Sequence, residues 1–121
     1  MQADIRDAQD NKVMAILAYF GPLVLVPILA AKESRFARYH ANQGLILAII
    51  EVVWSILFWI ITSIIISSNP FIVLSFVWTL ISIIQWAGLI FMAVLAIIGI
   101  INANKGEMKP LPVIGGISIL K

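Results

Sequence analysis

The feature that most constrains this chain is a charge-free run of 53 residues, from Val52 to Asn104. A second charge-free run covers residues 13–31. A transmembrane helix needs about 20 consecutive, mainly apolar residues, so the long run has room for two spans and the short run for a third. Hydrophobic residues make up 62% of the 121-residue chain, more than a soluble domain of this size can bury. The sequence therefore predicts an all-α integral membrane bundle of three transmembrane helices.

Breaker residues divide this bundle, residues 13–104, into its spans. The segment SSNP at residues 67–70 is the one turn signal in the long run, which predicts spans at about 13–31, 45–66 and 71–101. The third span exceeds the hydrocarbon thickness and must tilt, bend or protrude. A further division near residues 85–88 would give four spans, but no proline or charge there supports one. Gly21, Pro22 and Pro27 interrupt the first span, which predicts either a kinked spanning helix or a shallow, re-entrant segment.

Three segments lie outside the predicted spans. Residues 1–12 form a polar N-terminal tail, and residues 32–44 form an interfacial helical lead-in to the second span. In that lead-in Ser34 is the expected N-cap, and Arg35 and Arg38 are expected to face lipid headgroups. Residues 105–121 form a C-terminal interfacial tail that is too short to span, and we expect it to lie at the interface or fold against the bundle.

Basic residues predict the orientation of these segments. The lead-in and the C-terminal tail carry three each, whereas the N-terminal tail carries two and the turn at 67–70 none. Cytoplasmic segments are enriched in lysine and arginine. The sequence therefore predicts a multi-pass protein of the cell inner (cytoplasmic) membrane with its N-terminus outside and its C-terminus inside.

Glu51 is the most unusual polar residue, because it lies about two turns inside the second span. An ionisable group there is costly and usually faces the bundle or a water-filled pocket. If the turn centres near residue 69, Gln85 reaches a similar depth, so we expect a hydrogen bond between Glu51 and Gln85. Two roles stay open: polar contacts that hold the helices together, or handling of a proton, ion or substrate.

His40 and Gln43 complete the candidate functional or helix-packing residues. With one histidine and no cysteine, the chain offers no ordinary metal site, and we expect His40 to bond a phosphate or the backbone. We find no catalytic triad, phosphate-binding glycine loop or paired carboxylates, so no catalytic residue, cofactor or enzymatic activity is predicted. No basic stripe with interleaved aromatics is present, which argues against nucleic acid as a partner.

Two motifs carry a resemblance to a known family. Residues 32–45, KESRFARYHANQGL, fit a signature with Ser34, Phe36, His40, Ala41 and Gln43 at fixed spacing, and residues 103–112, ANKGEMKPLP, fit its ending. Over about residues 13–116 the chain resembles small bacterial membrane proteins related to the Tic-type chloroplast inner-envelope import component. The resemblance implies a part in protein or peptide translocation, as a pore element or an accessory.

Two functions from different classes follow as hypotheses. The first is a component or accessory of protein or peptide translocation or export, which three short spans could serve only as a homo-oligomer or within a larger membrane complex. The alternative is a non-transporting structural or regulatory small subunit packed on a larger membrane complex. In either case the lipid bilayer is a partner.

Overall fold

The computed structural model describes residues 4–119, and within that range the chain forms helices and no strands. This confirms the all-α prediction. The α-helices are α1 (Ile5–Asp10), α2 (Lys12–Leu17), α3 (Leu25–Ala30), α4 (Arg35–Ser68) and α5 (Phe76–Asn104). Two 3-10 helices, Gly21–Val24 and Pro70–Leu74, precede α3 and α5.

Helices α4 and α5 form a long antiparallel pair. They contain 34 and 29 residues, which correspond to about 51 and 43 Å, against about 30 Å of hydrocarbon in a bilayer. Each begins at a serine whose side chain accepts a backbone N–H, Ser34 from Ala37 and Ser75 from Trp78. The lead-in predicted at 32–44 is therefore the first part of one continuous helix.

The outer surface of this pair is strongly apolar. In the most apolar 18-residue window of each helix only 17% of the residues are buried, and Trp59 of α4 and Trp86 of α5 are 69% and 63% exposed. Apolar surface of this extent suits lipid rather than water. Two helices are thus long and apolar enough to cross a membrane; the three predicted spans are not confirmed.

The predicted first span at 13–31 is broken into short pieces. Gly21 has a φ of +62°, which glycine adopts without a steric penalty, and Pro22 and Pro27 lack a backbone N–H. The apolar helical stretch Gly21–Ala30 has a length of about 15 Å, half of what a bilayer requires. Residues 13–31 are therefore a series of short helices and not one continuous helix.

Two glycines allow the N-terminal segment to approach the long helices. A Cβ on Gly44 of α4 would lie 1.8 Å from the Ala18 carbonyl oxygen, and a Cβ on Gly99 of α5 would lie 2.2 Å from the Tyr19 ring. No other residue fits at these distances. The end of α2 therefore packs into the angle between α4 and α5.

Helix α5 ends in a Schellman motif. Gly106 has a φ of +74°, its N–H donates to the Ala103 carbonyl at 3.1 Å, and the Glu107 N–H donates to the Asn102 carbonyl at 2.9 Å. This turn reverses the chain, and the segment that follows, residues 105–119, lies back across α4. We call it the strap.

The buried core lies at one end of the molecule. There, residues 4–34 and the strap surround the start of α4 and the end of α5, and we call this end the cap. One buried cluster joins Ala8, Phe36, Ala103 and Met108, which brings both ends of the described chain together. A second cluster joins α2, α4, α5 and the strap.

Candidate functional site: the polar anchors of the cap

His40 lies at the centre of the cap and is fully buried. Its Nε2 is 2.8 Å from the Glu107 carbonyl oxygen and its Nδ1 is 2.7 Å from the Tyr19 hydroxyl. A carbonyl can only accept, so Nε2 donates, and in the neutral ring Nδ1 accepts the Tyr19 hydrogen. His40 therefore links three parts of the chain: the end of α2, helix α4 and the strap.

Gln43 lies one turn further along α4, and its amide holds the strap at two points. Its Oε1 accepts the Leu111 N–H at 3.1 Å, and its Nε2 donates to the Gly115 carbonyl at 3.3 Å. The Gln43 side chain is almost fully buried. These bonds satisfy backbone groups of a segment that has no regular secondary structure to satisfy them.

Asn42 repeats this arrangement nearer the end of the strap. Its Oδ1 accepts the Ile119 N–H at 2.6 Å, and its Nδ2 donates to the Ile117 carbonyl at 2.9 Å. The adjacent residues Asn42 and Gln43 thus bind the strap through both the oxygen and the nitrogen of each side-chain amide.

Asp7 fastens the N-terminal segment to the start of α4. Its carboxylate accepts from the Ser34 hydroxyl, the Phe36 N–H and the Asn11 side chain. Partial burial raises the pKa of the Asp7 carboxyl, but these hydrogen bonds outweigh it, and the pKa lies below its usual value. A carboxylate at a helix N-terminus is also favoured by the helix dipole.

Glu51 and Gln85 lie outside the cap, on the exposed part of the helix pair. Among residues 4–119 these two side chains make no hydrogen bond to each other; instead the Trp54 indole N–H donates to the Gln85 carbonyl at 3.3 Å. Gly88 lies directly against the Trp54 ring. Trp54 is therefore level with Gly88. Because the helices are antiparallel, Glu51, three residues before Trp54, is level with Phe91, three residues after Gly88. Phe91 is about 9 Å along α5 from Gln85.

The reason for this offset is the turn. The 3-10 helix Pro70–Leu74 adds five residues before α5 begins, so the turn centres beyond residue 69. Each residue of α5 therefore lies opposite a different residue of α4 from the one expected for a turn at residue 69. The expected Glu51–Gln85 bond was therefore wrong, although the roles of the two side chains stay predictions.

The structure thus brings His40 and Gln43 together and leaves Glu51 and Gln85 apart from them. Sequence reasoning missed Tyr19, Asn42 and Asp7. Each makes a hydrogen bond to a residue at least 21 positions away in the sequence, and no local sequence pattern indicates such a contact. Within the part of the chain that is described, no three histidine, cysteine, aspartate or glutamate side chains lie close enough to hold a metal ion.

Fold and site together define a small, all-helical, membrane-associated protein whose terminal segments are anchored to one end of a long helix pair. The model of the magnetosome magnetite crystal formation protein family matches residues 10–119. The chain belongs to that family. No curated protein and no solved structure is significantly similar to it.

This finding corrects two predictions. The resemblance to the Tic-type import component was wrong, and so was the translocation function that it implied. The physical reason lies in the motif residues. Ser34, His40 and Gln43 bind the helix N-terminus and the backbone of the chain's own termini, so they specify a way of folding and carry no information about a translocated substrate.

Proposed function

We propose that this chain is a non-enzymatic structural or regulatory subunit of the magnetosome membrane that takes part in magnetite crystal formation. The observation that carries the proposal is the family match over residues 10–119. Its role is to pack against other membrane proteins or further copies of itself and so organise the membrane around the growing crystal.

The distribution of buried surface supports a packing role. The cap is a complete core, whereas the flanks of α4 and α5 beyond it expose large apolar side chains such as Trp59, Ile64 and Trp86. In a membrane this surface is available to neighbouring helices. The polar side chains that sequence motifs single out in the cap bind this chain's own backbone, which favours a structural use over a chemical one.

Charge supports a two-span arrangement with the cap on the cytoplasmic side. The basic residues of the chain lie in the segments that build the cap or flank it, and the turn between α4 and α5, residues 67–75, has no charge. Asp7 bonds the start of α4, and Ala8 lies near Gly106 just after α5. Both terminal segments therefore lie on one side, in place of the outside N-terminus and inside C-terminus predicted from three spans.

The test is deletion of the gene in a magnetite-forming bacterium, followed by electron microscopy of the crystals. We expect altered crystal size or number, restored by the wild-type gene and by the control variant Asn104→Ala, and not restored by Gln43→Leu, which releases the strap. Cellular iron content should stay unchanged, because the chain is proposed to organise the membrane and not to supply iron. Crystals indistinguishable from those of the parent strain would refute the proposal.

The packing role has its own test. Tagged protein extracted from the magnetosome membrane in mild detergent should migrate as a stoichiometric complex, either with other membrane proteins or with copies of itself. Recovery of the chain as an isolated monomer under these conditions would contradict a subunit role.

A further inference from the structure

The two sides of the long helix pair differ in chemistry. Trp54 of α4 packs against Gly88 of α5, and this contact lies on the line where the two helices meet. An apolar groove of about 510 Å³ runs along one side of that line. Its lining includes Ile50 of α4 and Ile84 and Phe91 of α5. The groove therefore identifies one side of the pair, and positions on the opposite side follow from helix geometry.

On α4, two polar residues lie on the side opposite the groove. Successive residues of an α-helix are about 100° apart around its axis. Measured from Trp54, Ile50 is turned about 40° towards the groove, whereas Glu51 is turned about 60° away from it. Ser55, one turn after Glu51, is turned about 100° away from the groove.

On α5, Gln85 lies on the same side as these two residues. Measured from Gly88, Ile84 is turned about 40° towards the groove and Gln85 about 60° away from it. The two helices therefore present polar side chains on one common side of the pair. We call this side the polar face, and its residues are Glu51, Ser55 and Gln85.

The polar face lies at the depth of the hydrocarbon. Glu51 is about 26 Å before Ser68, the last residue of α4, and the hydrocarbon core of a bilayer is about 30 Å thick. With Ser68 at the far boundary, Glu51 lies just inside the boundary on the side of the cap. Gln85 is about 9 Å deeper and lies near the middle of the bilayer.

The side chains of Glu51 and Gln85 have no polar partner within residues 4–119. Both are partly buried, and neither makes a hydrogen bond or an ion pair in that range; the bond from the Trp54 indole goes to the backbone carbonyl of Gln85. A carboxylate at this depth is costly unless a cation or hydrogen-bond donors compensate it. The described chain does not supply these groups.

A second copy of the chain does not supply the cation either. Glu51 is the one charged residue between Arg38 and Lys105. Arg38 is about 20 Å from Glu51 along α4. Copies inserted in the same orientation would bring Glu51 to the depth of Glu51, and like charges repel. A cation at this depth would therefore have to come from a different protein.

We propose that the polar face binds a transmembrane helix of a different membrane protein, which carries a basic side chain opposite Glu51 and an amide or hydroxyl side chain opposite Gln85. Residues seven apart on a helix share a face and are about 10 Å apart, which matches the spacing of Glu51 and Gln85. The small side chain of Ser55 lies between them and allows the partner's backbone to approach.

A partner of this kind is compatible with a bilayer. A lysine or arginine near the end of a transmembrane helix extends its long side chain towards the headgroups, so its insertion is less costly there than at the centre. The inference deepens the packing role proposed above and rests on it, because it assigns that role to one face and one kind of neighbour.

Binding of synthetic helices in phosphatidylcholine vesicles tests this chemistry. The full-length protein, labelled with a donor dye at Ser68→Cys, is reconstituted with poly-leucine transmembrane peptides that carry an acceptor dye. One peptide has a lysine near one end and a glutamine seven residues deeper; the other two have leucine or glutamate in place of the lysine. We expect energy transfer to show the lysine peptide binding at least about tenfold more tightly than the leucine peptide, and the glutamate peptide more weakly than both.

Variants of the chain assign the contact to the polar face. Glu51→Leu should abolish the preference for the lysine peptide, and Glu51→Gln, which keeps the shape of the side chain, replaces it if that variant does not fold. Glu51→Lys should reverse the preference, so that the glutamate peptide binds more tightly. The matched control, Ala87→Phe, adds bulk on the groove side of α5 and should leave binding of the lysine peptide unchanged.

Three results in vesicles would overturn the proposal. Equal binding of the lysine and leucine peptides would show that the polar face does not select a basic helix. Weaker binding in Ala87→Phe with no effect of the Glu51 variants would assign the helix to the groove. Energy transfer between two differently labelled copies that Glu51→Leu abolishes would assign the polar face to a second copy.

Extraction from the magnetosome membrane separates this proposal from the packing role. A stoichiometric complex that Glu51→Leu leaves intact would contradict the polar face as the contact and leave the packing role standing. Recovery of the wild-type chain as an isolated monomer would contradict the packing role itself.

Discussion

At the scale of single residues, polar side chains of the cap act as anchors for backbone that lacks regular structure. Gln43 is the clearest case, because one buried amide satisfies a donor and an acceptor of the strap. A buried backbone group left without its partner costs about 1–3 kcal/mol.

The first prediction follows from these two bonds. Gln43→Leu keeps the approximate size of the side chain and removes both bonds, so the strap should detach while α4 and α5 stay helical. Hydrogen exchange should show faster exchange of the Leu111 amide and its neighbours in the strap and unchanged exchange in residues 76–98. Asn104→Ala, which removes an exposed amide from the same end, is the control; equal exchange of the strap in both variants would contradict the assignment.

The second prediction concerns pH and Asp7. The pKa of its carboxyl is lowered in the folded protein from the ordinary value of 3.8, so its contribution to stability is present above that value and is lost as the pH falls through the lower, folded value. Limited proteolysis of the N-terminal segment should therefore accelerate only in strong acid. Asp7→Asn should accelerate it at neutral pH as well.

Asp10→Asn serves as the control for this experiment, because Asp10 is exposed and lies in the same short helix. If Asp7→Asn and Asp10→Asn leave the segment equally resistant at neutral pH, the Asp7 carboxylate does not hold it to α4.

At the scale of helices, close packing at glycine positions decides how the N-terminal segment meets the long pair. Gly44→Ala would place a methyl group 1.8 Å from the Ala18 carbonyl oxygen, so α2 must move away from α4. Overpacking of this kind costs about 1–3 kcal/mol. A lower midpoint of thermal unfolding in detergent should report it, and Gly116→Ala, where an added Cβ meets nothing within 4 Å, should leave the midpoint unchanged.

The helices also show how far sequence alone could lead. Charge-free runs and the SSNP turn located α4 and α5, because length and hydropathy are local properties. The structure of residues 13–31 was harder to predict, since Pro22 and Pro27 are compatible with either a kinked spanning helix or a shallow, re-entrant segment. Contacts such as His40 to Glu107 join residues 67 positions apart, and hydrophobic periodicity contains no information about them.

At the scale of the whole molecule, the long apolar helices α4 and α5 form a hairpin with one folded end, the cap. In the proposed two-span arrangement, the cap lies on the cytoplasmic side, the apolar flanks face lipid and neighbouring proteins, and the uncharged turn lies on the opposite side. The chain belongs to the magnetosome magnetite crystal formation protein family, and its proposed role in that process depends on which side of the membrane carries the cap.

The most direct test of this arrangement is thiol labelling, which the cysteine-free sequence makes simple. Single cysteines replace three exposed polar residues, Gln9, Ser68 and Asn104, and isolated, intact magnetosomes, whose outer surface is the cytoplasmic side of their membrane, are treated with a membrane-impermeant maleimide. The two-span arrangement predicts that Gln9→Cys and Asn104→Cys are labelled on intact magnetosomes, whereas Ser68→Cys is labelled only after the membrane is opened with detergent. Labelling of only one of Gln9→Cys and Asn104→Cys on intact magnetosomes would show an odd number of spans and contradict the two-span arrangement.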